Sequence, residues 1–291
     1  MDKCNICPRE CNIDRNSALG FCRSDNTLSV AKTMLHFWEE PCISGKNGSG
    51  AIFFSGCTLK CVYCQNKDIS RGQSGQKMTV KQLADTMLTL QENGAHNINL
   101  VTPTHYTRQI IEALDIAKKR LHIPIVYNTS GYEKISTLKI LDGYIDVYLP
   151  DFKYYDSDIA KKYSSAPDYF EYASSATEEM YRQVGKYTED ENGIAQKGLI
   201  IRHLVLPNQR HDSVKILEEI KARLPLSCIK LSLMSQYTPD FADCEYKELQ
   251  RKITTFEYDC VLQKAVELGF DGYFQAKESA SAKYTPNFNE Q

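Results

Sequence analysis

The stretch "AIFFSGCTLKCVYCQN", residues 51–66, joins a short apolar run to a loop that carries three cysteines. The apolar run predicts a buried strand. Cys57, Cys61 and Cys64 follow it at the spacing C-x3-C-x2-C, and residues 65–79 contain no further cysteine. A tetrahedral zinc ion or a common iron–sulfur cluster takes four ligands. The stretch therefore predicts a strand that ends at a metal centre for which the loop supplies one ligand too few.

Five more apolar runs follow along the chain, and helical periodicities separate them. The runs are "INLVT" (98–102), "PIVYN" (124–128), "IDVYL" (145–149), "LIIRHLVL" (199–206) and "IKLSLMS" (229–235). Strands that alternate with helices imply right-handed crossovers and a parallel sheet. Six such units predict an α/β fold, namely a partial (β/α)6 TIM-like barrel that falls short of the closed eight-stranded form. A doubly wound open sheet is the alternative, because the number of strands does not exclude it.

The helical segments carry start and stop signals. Thr79 and Gln82 form a capping box, and the apolar periodicity that follows stops at Asn93. A later periodicity predicts a helix that includes Leu249, Ile253, Phe256 and Cys260. Seven tyrosines are concentrated between positions 154 and 187. They predict a helical insertion whose core is formed by the tyrosine rings. They are Tyr154, Tyr155, Tyr163, Tyr169, Tyr172, Tyr181 and Tyr187.

The chain divides into three predicted regions. Residues 1–48 lack the strand–helix alternation and predict a small cysteine-rich metal-binding cap. Residues 49–275 form the predicted barrel, and residues 276–291 a polar tail. The cap contains four cysteines at the spacing C-x2-C-x3-C-x10-C, which are Cys4, Cys7, Cys11 and Cys22. They predict either a closed zinc site that stabilises the segment or an auxiliary iron–sulfur cluster that relays electrons.

Composition excludes several classes of protein. A net charge of −2 gives no general attraction to nucleic acid or acidic membranes. The apolar runs are too short to span a bilayer, and the first residues lack the apolar stretch of a secretion signal, so a cytoplasmic location is expected. Eleven cysteines in a reducing compartment point to metal binding or catalysis, although Cys228, Cys244 and Cys260 are expected to be structural thiols.

The loop resembles the signature of radical S-adenosylmethionine (SAM) enzymes, including the aromatic Tyr63 just before the third cysteine. The resemblance implies a 4Fe-4S cluster on Cys57, Cys61 and Cys64, with SAM as the fourth ligand. In that family one electron cleaves SAM to methionine and a 5′-deoxyadenosyl radical, which abstracts a hydrogen atom. A zinc knuckle completed by a distant cysteine or histidine is the alternative.

More of the chain resembles the pyruvate formate-lyase activating enzyme group, in its branch with an amino-terminal cysteine cluster. The similar stretches are "SGCTLKCVYCQN", "YNTSG", "PDFK", "IRHLVLP" and "LMSQYTP". This resemblance implies a glycyl radical enzyme as a possible partner and an electron donor such as flavodoxin or ferredoxin. A radical SAM enzyme for a small molecule or peptide is the alternative, and a non-catalytic metal-binding or electron-transfer module is another.

The resemblance also implies residues that bind SAM. Asn128 and Thr129, with the adjoining Ser130, resemble positions that hold the SAM ribose and a nearby monovalent cation. The family's Gly-Gly-Glu run is absent, and Thr102 and Thr104 stand in its place as acceptors for the SAM ammonium group.

Charged residues on two later strands complete the predicted site. Asp151 and Lys153 resemble an Asp-x-Lys pair in which the aspartate supports the cation site and the lysine the SAM carboxylate, and Arg202 resembles an arginine that faces SAM. Lys153 and Arg202 are therefore predicted to be catalytic together with the three cysteines. An exposed pair at a strand end is the alternative for Asp151 and Lys153. Three other polar side chains are expected to be structural, namely His105, His203 and Gln275.

Overall fold

The computed structural model describes residues 3–72 and 74–275. The polar tail predicted for residues 276–291 lies outside the described residues. The strands are β1 Leu28–His36, β2 Ser49–Phe54, β3 Gln76–Met78, β4 Ile98–Val101, β5 Ile125–Thr129, β6 Val147–Pro150, β7 Thr188–Glu189, β8 Ala195–Leu204, β9 Lys230–Met234 and β10 Gly272–Phe274. The α-helices are α1 Pro41–Ser44, α2 Lys67–Ser70, α3 Val80–Glu92, α4 Thr107–Ala117, α5 Ile135–Ile140, α6 Ser157–Ser164, α7 Tyr169–Val184, α8 Arg210–Arg223 and α9 Thr255–Leu268.

One ten-stranded sheet organises the molecule. Its order is β10-β9-β8-β6-β5-β4-β2-β1-β3, and β7 pairs with β8 beside this path. All six predicted strands are present, and they pair in parallel as β2, β4, β5, β6, β8 and β9. The predicted α/β class and the parallel sheet are therefore confirmed.

The strand order decides between the two predicted architectures. A doubly wound sheet reverses its order at a switch point in the middle of the sheet. Here the parallel strands lie in the order in which they occur along the chain, with no reversal. Crossovers of one hand then place the connecting helices on one face, as in a barrel. Since β10 and β3 end the path within the described residues, the arrangement is a partial barrel rather than a closed one.

The sheet is wider than the sequence predicted. Residues 272–274 form a seventh parallel strand beside β9, and their run of three residues is too short to give a periodic signal. On the other side β1 pairs with β2 in the antiparallel sense over residues 30–36. The segment predicted as a separate cap therefore contributes a strand to the sheet. Residues 3–27, the amino-terminal segment, and residues 37–48 lie outside that strand.

Side-chain caps mark the starts of three helices, α3, α6 and α9. The capping box at Thr79 and Gln82 is formed and begins α3. The predicted helical insertion is present as α6 and α7. The helix predicted through residues 249–260 is present only in its second half, because a second capping box at Thr254 and Glu257 starts α9 at Thr255. Phe256 is consequently 63% exposed instead of buried.

None of the helices within residues 3–72 and 74–275 combines the length and the apolar character needed to cross a bilayer.

Candidate active site at the carboxyl ends of the parallel strands

A cavity of about 210 Å³ lies where the parallel strands end. The cysteine loop after β2 lines one side of it, and residues that follow β4, β5, β6 and β9 line the rest together with side chains of β8. Most predicted site residues line this cavity: Cys57, Cys61, Tyr63, Cys64, Thr102, Asn128, Thr129, Ser130, Asp151, Lys153 and Arg202. The carboxyl ends of parallel strands are where α/β enzymes bind their ligands, so the sheet explains why distant residues meet here.

The backbone fixes the shape of the cysteine loop. Gly56 has φ +93° and donates its N–H to the carbonyl of Ile69, which turns the chain sharply after β2. Lys60 also lies in the left-handed region, at φ +59°. Further along the loop, the N–H of Val62 donates to the carbonyl of Tyr163 at 2.9 Å. These bonds direct the three cysteine side chains toward the cavity.

Burial and neighbouring sulfurs keep the thiols of Cys57 and Cys64 protonated. Burial, together with the neighbouring sulfurs of Cys61 and Cys57, raises the pKa of Cys64 to about 12. Burial and the Cys61 sulfur also raise the pKa of Cys57. Thiols that raise one another's pKa in this way become thiolates only when a cationic centre joins them.

The thiols do not form a site for one ion. Across residues 3–72 and 74–275, no group of three or more His, Cys, Asp or Glu side chains is arranged to hold a single metal ion. A zinc knuckle on the loop would need four donors around one point, about 2.3 Å from each sulfur. A cubane differs, because it distributes three thiolates over three separate irons. The loop's donor chemistry and spacing fit the cubane.

Arg202 is the centre of a buried ionic network. Its Nε donates to Asp151 Oδ1 at 3.0 Å, and its second terminal nitrogen donates to Asn128 Oδ1 at 2.6 Å. Lys153 Nζ donates to the other oxygen of Asp151 at 2.6 Å. The side chains of Asp151 and Lys153 are each only 17% exposed, so the alternative of an exposed strand-end pair does not describe them.

The electrostatics of this network keep its members charged. Burial alone would raise the pKa of Asp151, but the charges of Arg202 and Lys153 outweigh it and lower that pKa. Burial alone would lower the pKa of Lys153, but Asp151 raises it. The cavity wall thus presents fixed cations and a fixed carboxylate, which suits a zwitterionic amino acid group such as that of SAM.

Glu39 belongs to this network and was missed from the sequence. It precedes α1, and its Oε1 accepts hydrogen bonds from Asn99 Nδ2 and Asn128 Nδ2 at 3.2 and 3.1 Å. Its Oε2 accepts from Arg202 at 3.1 Å. The run "HFWEEPCISG", residues 36–45, holds two adjacent carboxylates among apolar residues. A pair of charges in such surroundings is the signal that could have identified it.

Glu133 is a second buried carboxylate that the sequence did not reveal. Its Oε1 accepts from the hydroxyls of Thr104, at 2.5 Å, and Thr129. Its Oε2 has no hydrogen-bond partner among the described residues. Burial raises the pKa of Glu133 to about 7 despite these two bonds. The hydroxyl of Thr104 is thus directed to Glu133, and Thr104 does not line the cavity.

Thr102 occupies a strained position at the end of β4. Its φ is +58°, a value that β-branched residues rarely adopt, and its N–H donates to the carbonyl of Asn128 at 2.9 Å. Backbone strain of this kind clusters at ligand sites, where surrounding contacts hold it.

The residues expected to be structural lie outside the cavity lining. His105 is fully buried and donates from Nε2 to the carbonyl of Ser55 at 2.8 Å. His203 donates from Nδ1 to the carbonyl of Phe152 at 2.6 Å. Burial lowers the pKa of both histidines to about 4, so both are neutral. The two histidines therefore hydrogen-bond to backbone carbonyls of neighbouring segments and contribute no charge to the site.

The four amino-terminal cysteines share one small segment. Backbone bonds join Cys4 to Ile13, and a methyl group on Gly20 would lie 3.4 Å from Cys22 Sγ and 3.6 Å from Cys11 Sγ. Burial raises the pKa of Cys7 to about 12. As placed, these sulfurs also do not surround a single point. A metal on this segment remains a prediction.

Comparison with known proteins identifies the class. Residues 51–183 match the sequence model of the Radical SAM superfamily. The chain therefore contains a radical SAM superfamily domain, the class of enzyme in which a 4Fe-4S cluster reductively cleaves SAM. The matched segment begins at β2 and includes the cysteine loop as well as Asn128, Asp151 and Lys153.

One curated relative covers nearly all of the chain. It is the uncharacterized protein MJ0674 of Methanocaldococcus jannaschii, which is 29% identical over 278 residues. The alignment covers 92% of this chain and 75% of the relative. The similarity therefore extends beyond the domain match into residues on either side of it.

Proposed function

We propose that this protein is a radical SAM enzyme whose substrate is a segment of another polypeptide, with a glycine as the residue that loses hydrogen. When bound, the reduced cluster would supply one electron to the sulfonium of SAM, and this would yield methionine and a 5′-deoxyadenosyl radical that takes a hydrogen atom from the substrate. Cys57, Cys61 and Cys64 would hold the cluster. Arg202, Lys153 and Asn128 would orient SAM beside it.

The exposed aromatic residue of the lining carries this proposal. Trp38 lines the cavity and is 61% exposed, and the preceding Phe37 is 49% exposed. Tryptophan is enriched at the centres of protein interfaces, where its large surface is desolvated. A partner that covers these rings would also exclude water from the radical. The required electron would come from a protein donor such as flavodoxin or ferredoxin.

Deuterium transfer tests the substrate class. Cells of the source organism are grown with glycine deuterated at Cα, and their proteins are separated from small molecules by dialysis. The reconstituted, reduced enzyme is then incubated with SAM and each fraction. We expect deuterium to enter 5′-deoxyadenosine with the protein fraction, together with a glycyl radical signal in electron paramagnetic resonance.

Two outcomes would contradict the proposal in different ways. The small-molecule fraction is also prepared from fully deuterated cells. If deuterium enters 5′-deoxyadenosine only with that fraction, the protein is a small-molecule enzyme. No 5′-deoxyadenosine with any fraction, or with SAM alone, would indicate a non-catalytic metal-binding module. The variant Cys64→Ala is the control for reactions that do not depend on the loop.

A further inference from the structure

The sulfur of Cys61 accepts a hydrogen bond from outside the cysteine loop. Ser164 Oγ, in the last turn of α6, lies 2.9 Å from Cys61 Sγ. The two residues are 103 positions apart in the sequence. Ser164 is 2% exposed, so no water competes for its hydroxyl. The contact is short for a bond to sulfur and is therefore a strong candidate for an interaction with a cluster ligand.

Two tyrosines extend this bond into a chain. Ser164 Oγ lies 2.7 Å from the hydroxyl of Tyr154, which lies 2.6 Å from the hydroxyl of Tyr63. Ser164 has one hydroxyl proton, and it uses this proton in the hydrogen bond to Cys61. Tyr154 must therefore donate to Ser164, and Tyr63 must donate to Tyr154. All donors point in one direction, toward the sulfur.

Packing holds the chain in place. The Tyr63 ring meets the Tyr163 and Tyr237 rings edge-on, with centroids 6.3 and 6.1 Å apart. Tyr154 is fully buried and contacts Tyr169 in the same geometry at 5.3 Å. None of these rings can turn without disturbing the core.

Arg9 of the amino-terminal segment holds Ser164 in place through its backbone carbonyl. Its terminal nitrogen donates to the carbonyl of Ser164 at 2.9 Å, and its Nε donates to the carbonyl of Thr58 at 2.8 Å. One guanidinium therefore joins the end of α6 to the cysteine loop. The distance between Ser164 and Cys61 is set by the amino-terminal segment as well as by the barrel.

We infer that the chain Tyr63–Tyr154–Ser164 sets the reduction potential of the cluster through the sulfur of Cys61. This inference rests on the radical SAM activity proposed above. Reduction adds negative charge to the cluster and its thiolates. Hydrogen bonds to the sulfurs stabilise that charge and raise the potential. Aligned donors polarise one another, so the chain acts more strongly than the serine alone.

Ser164→Ala removes the donor to sulfur and leaves the thiolate ligand in place. We expect an equilibrium constant for cluster reduction that is three- to tenfold lower, a shift of about 28 to 59 mV toward more negative potential at 59 mV per tenfold change. Redox titration followed by electron paramagnetic resonance measures the shift. The expected iron content equals that of the unaltered protein.

Three further variants make the result specific. Ser164→Thr keeps the hydroxyl and should restore the potential. Tyr154→Phe leaves the serine but removes its donor, so it should give a smaller shift of the same sign, and it also serves if Ser164→Ala fails to fold. Ser157→Ala, at the exposed start of the same helix, should leave the potential unchanged.

The outcomes separate this inference from the proposed function. A fully loaded cluster whose potential is the same, or more positive, in both Ser164→Ala and Tyr154→Phe would overturn the role of the chain while leaving radical SAM activity intact. A protein that binds no cluster in its unaltered form would overturn both. The vibration frequency of the iron–thiolate bond offers a second readout, since it should shift in heavy water only where Ser164 donates.

Discussion

Arg202 and Glu39 form an ion pair inside the partial barrel, with Arg202 Nη1 donating to Glu39 Oε2 at 3.1 Å. The two side chains are 14% and 11% exposed. Arg202 lies on β8, whereas Glu39 follows the antiparallel β1. A segment that precedes the first parallel strand therefore supplies a carboxylate to the centre of the proposed SAM site.

Glu39→Ala should destabilise the protein by about 3 to 5 kcal/mol, because it removes one partner of a buried pair. Glu39→Gln should cost less, since it keeps acceptors for the asparagines. Urea denaturation measures the free energy of unfolding. Glu112→Ala, on the exposed side of α4, is the matched control and should change it by less than about 0.5 kcal/mol. An equal effect of the two alanine variants would show that the pair is not buried as described.

Lys153→Met should weaken SAM binding roughly tenfold, about 1.4 kcal/mol, with the iron content unchanged. The side chain keeps its length but loses the ammonium group that pairs with Asp151 and lines the cavity. Equilibrium binding of SAM to the cluster-loaded protein measures the effect. Lys161→Met, exposed on α6, controls for the loss of a surface charge. Unchanged affinity in Lys153→Met would remove Lys153 from the SAM site.

Glu133 should make the folded state pH-dependent. Its pKa rises from 4.5 to about 7 on burial, so the folded protein holds this proton more tightly than the unfolded chain. The stability due to the protonated group is complete below pH 4.5 and is lost as the pH rises through about 7. A shift of this size corresponds to about 3 kcal/mol.

The variant Glu133→Gln should lack this pH dependence. The difference in the free energy of unfolding between the unaltered protein and the variant should therefore fall by about 3 kcal/mol from pH 4.5 to above pH 7. Denaturation of the metal-free proteins across this range measures it. A difference that stays constant, or rises with pH, contradicts the assignment.

Gly56→Ala should disturb the cysteine loop through the amino-terminal segment. An added Cβ would lie 2.5 Å from the carbonyl oxygen of Cys22 and would also meet Ser24 Oγ. Gly94→Ala is the matched control, since Gly94 has a similar φ of +87° but nothing within 4 Å of its Cβ. The excess loss of stability in Gly56→Ala should be about 1 to 3 kcal/mol. Equal losses of stability in the two variants would mean that the amino-terminal segment does not pack closely against the cysteine loop at Gly56.

The sequence predicted those parts of the molecule that have local signals. Six strands were found because each is an apolar run buried on both faces, and the capping box at Thr79 begins α3 as expected. β10 was missed, since three residues cannot display a period. The helix start at Thr254 was missed because an accidental spacing of apolar residues at 249–256 competed with the capping box.

The site could be predicted only where its residues belong to the loop or to strand ends. Cys57, Cys61 and Cys64 lie on one short loop of the sequence, and Arg202 is a charge in an apolar run. The bond from Ser164 to Cys61 joins residues 103 positions apart and has no local signature. Tertiary packing alone creates it.

The most direct test concerns the three thiolates of the loop and the iron they leave open. The protein is reconstituted with iron and sulfide without oxygen, reduced with dithionite and supplied with SAM. We predict that it forms 5′-deoxyadenosine and methionine, and that the triple variant with Cys57, Cys61 and Cys64 all changed to alanine forms neither. Production of 5′-deoxyadenosine by the triple variant, or none by the fully loaded unaltered protein, would contradict the account.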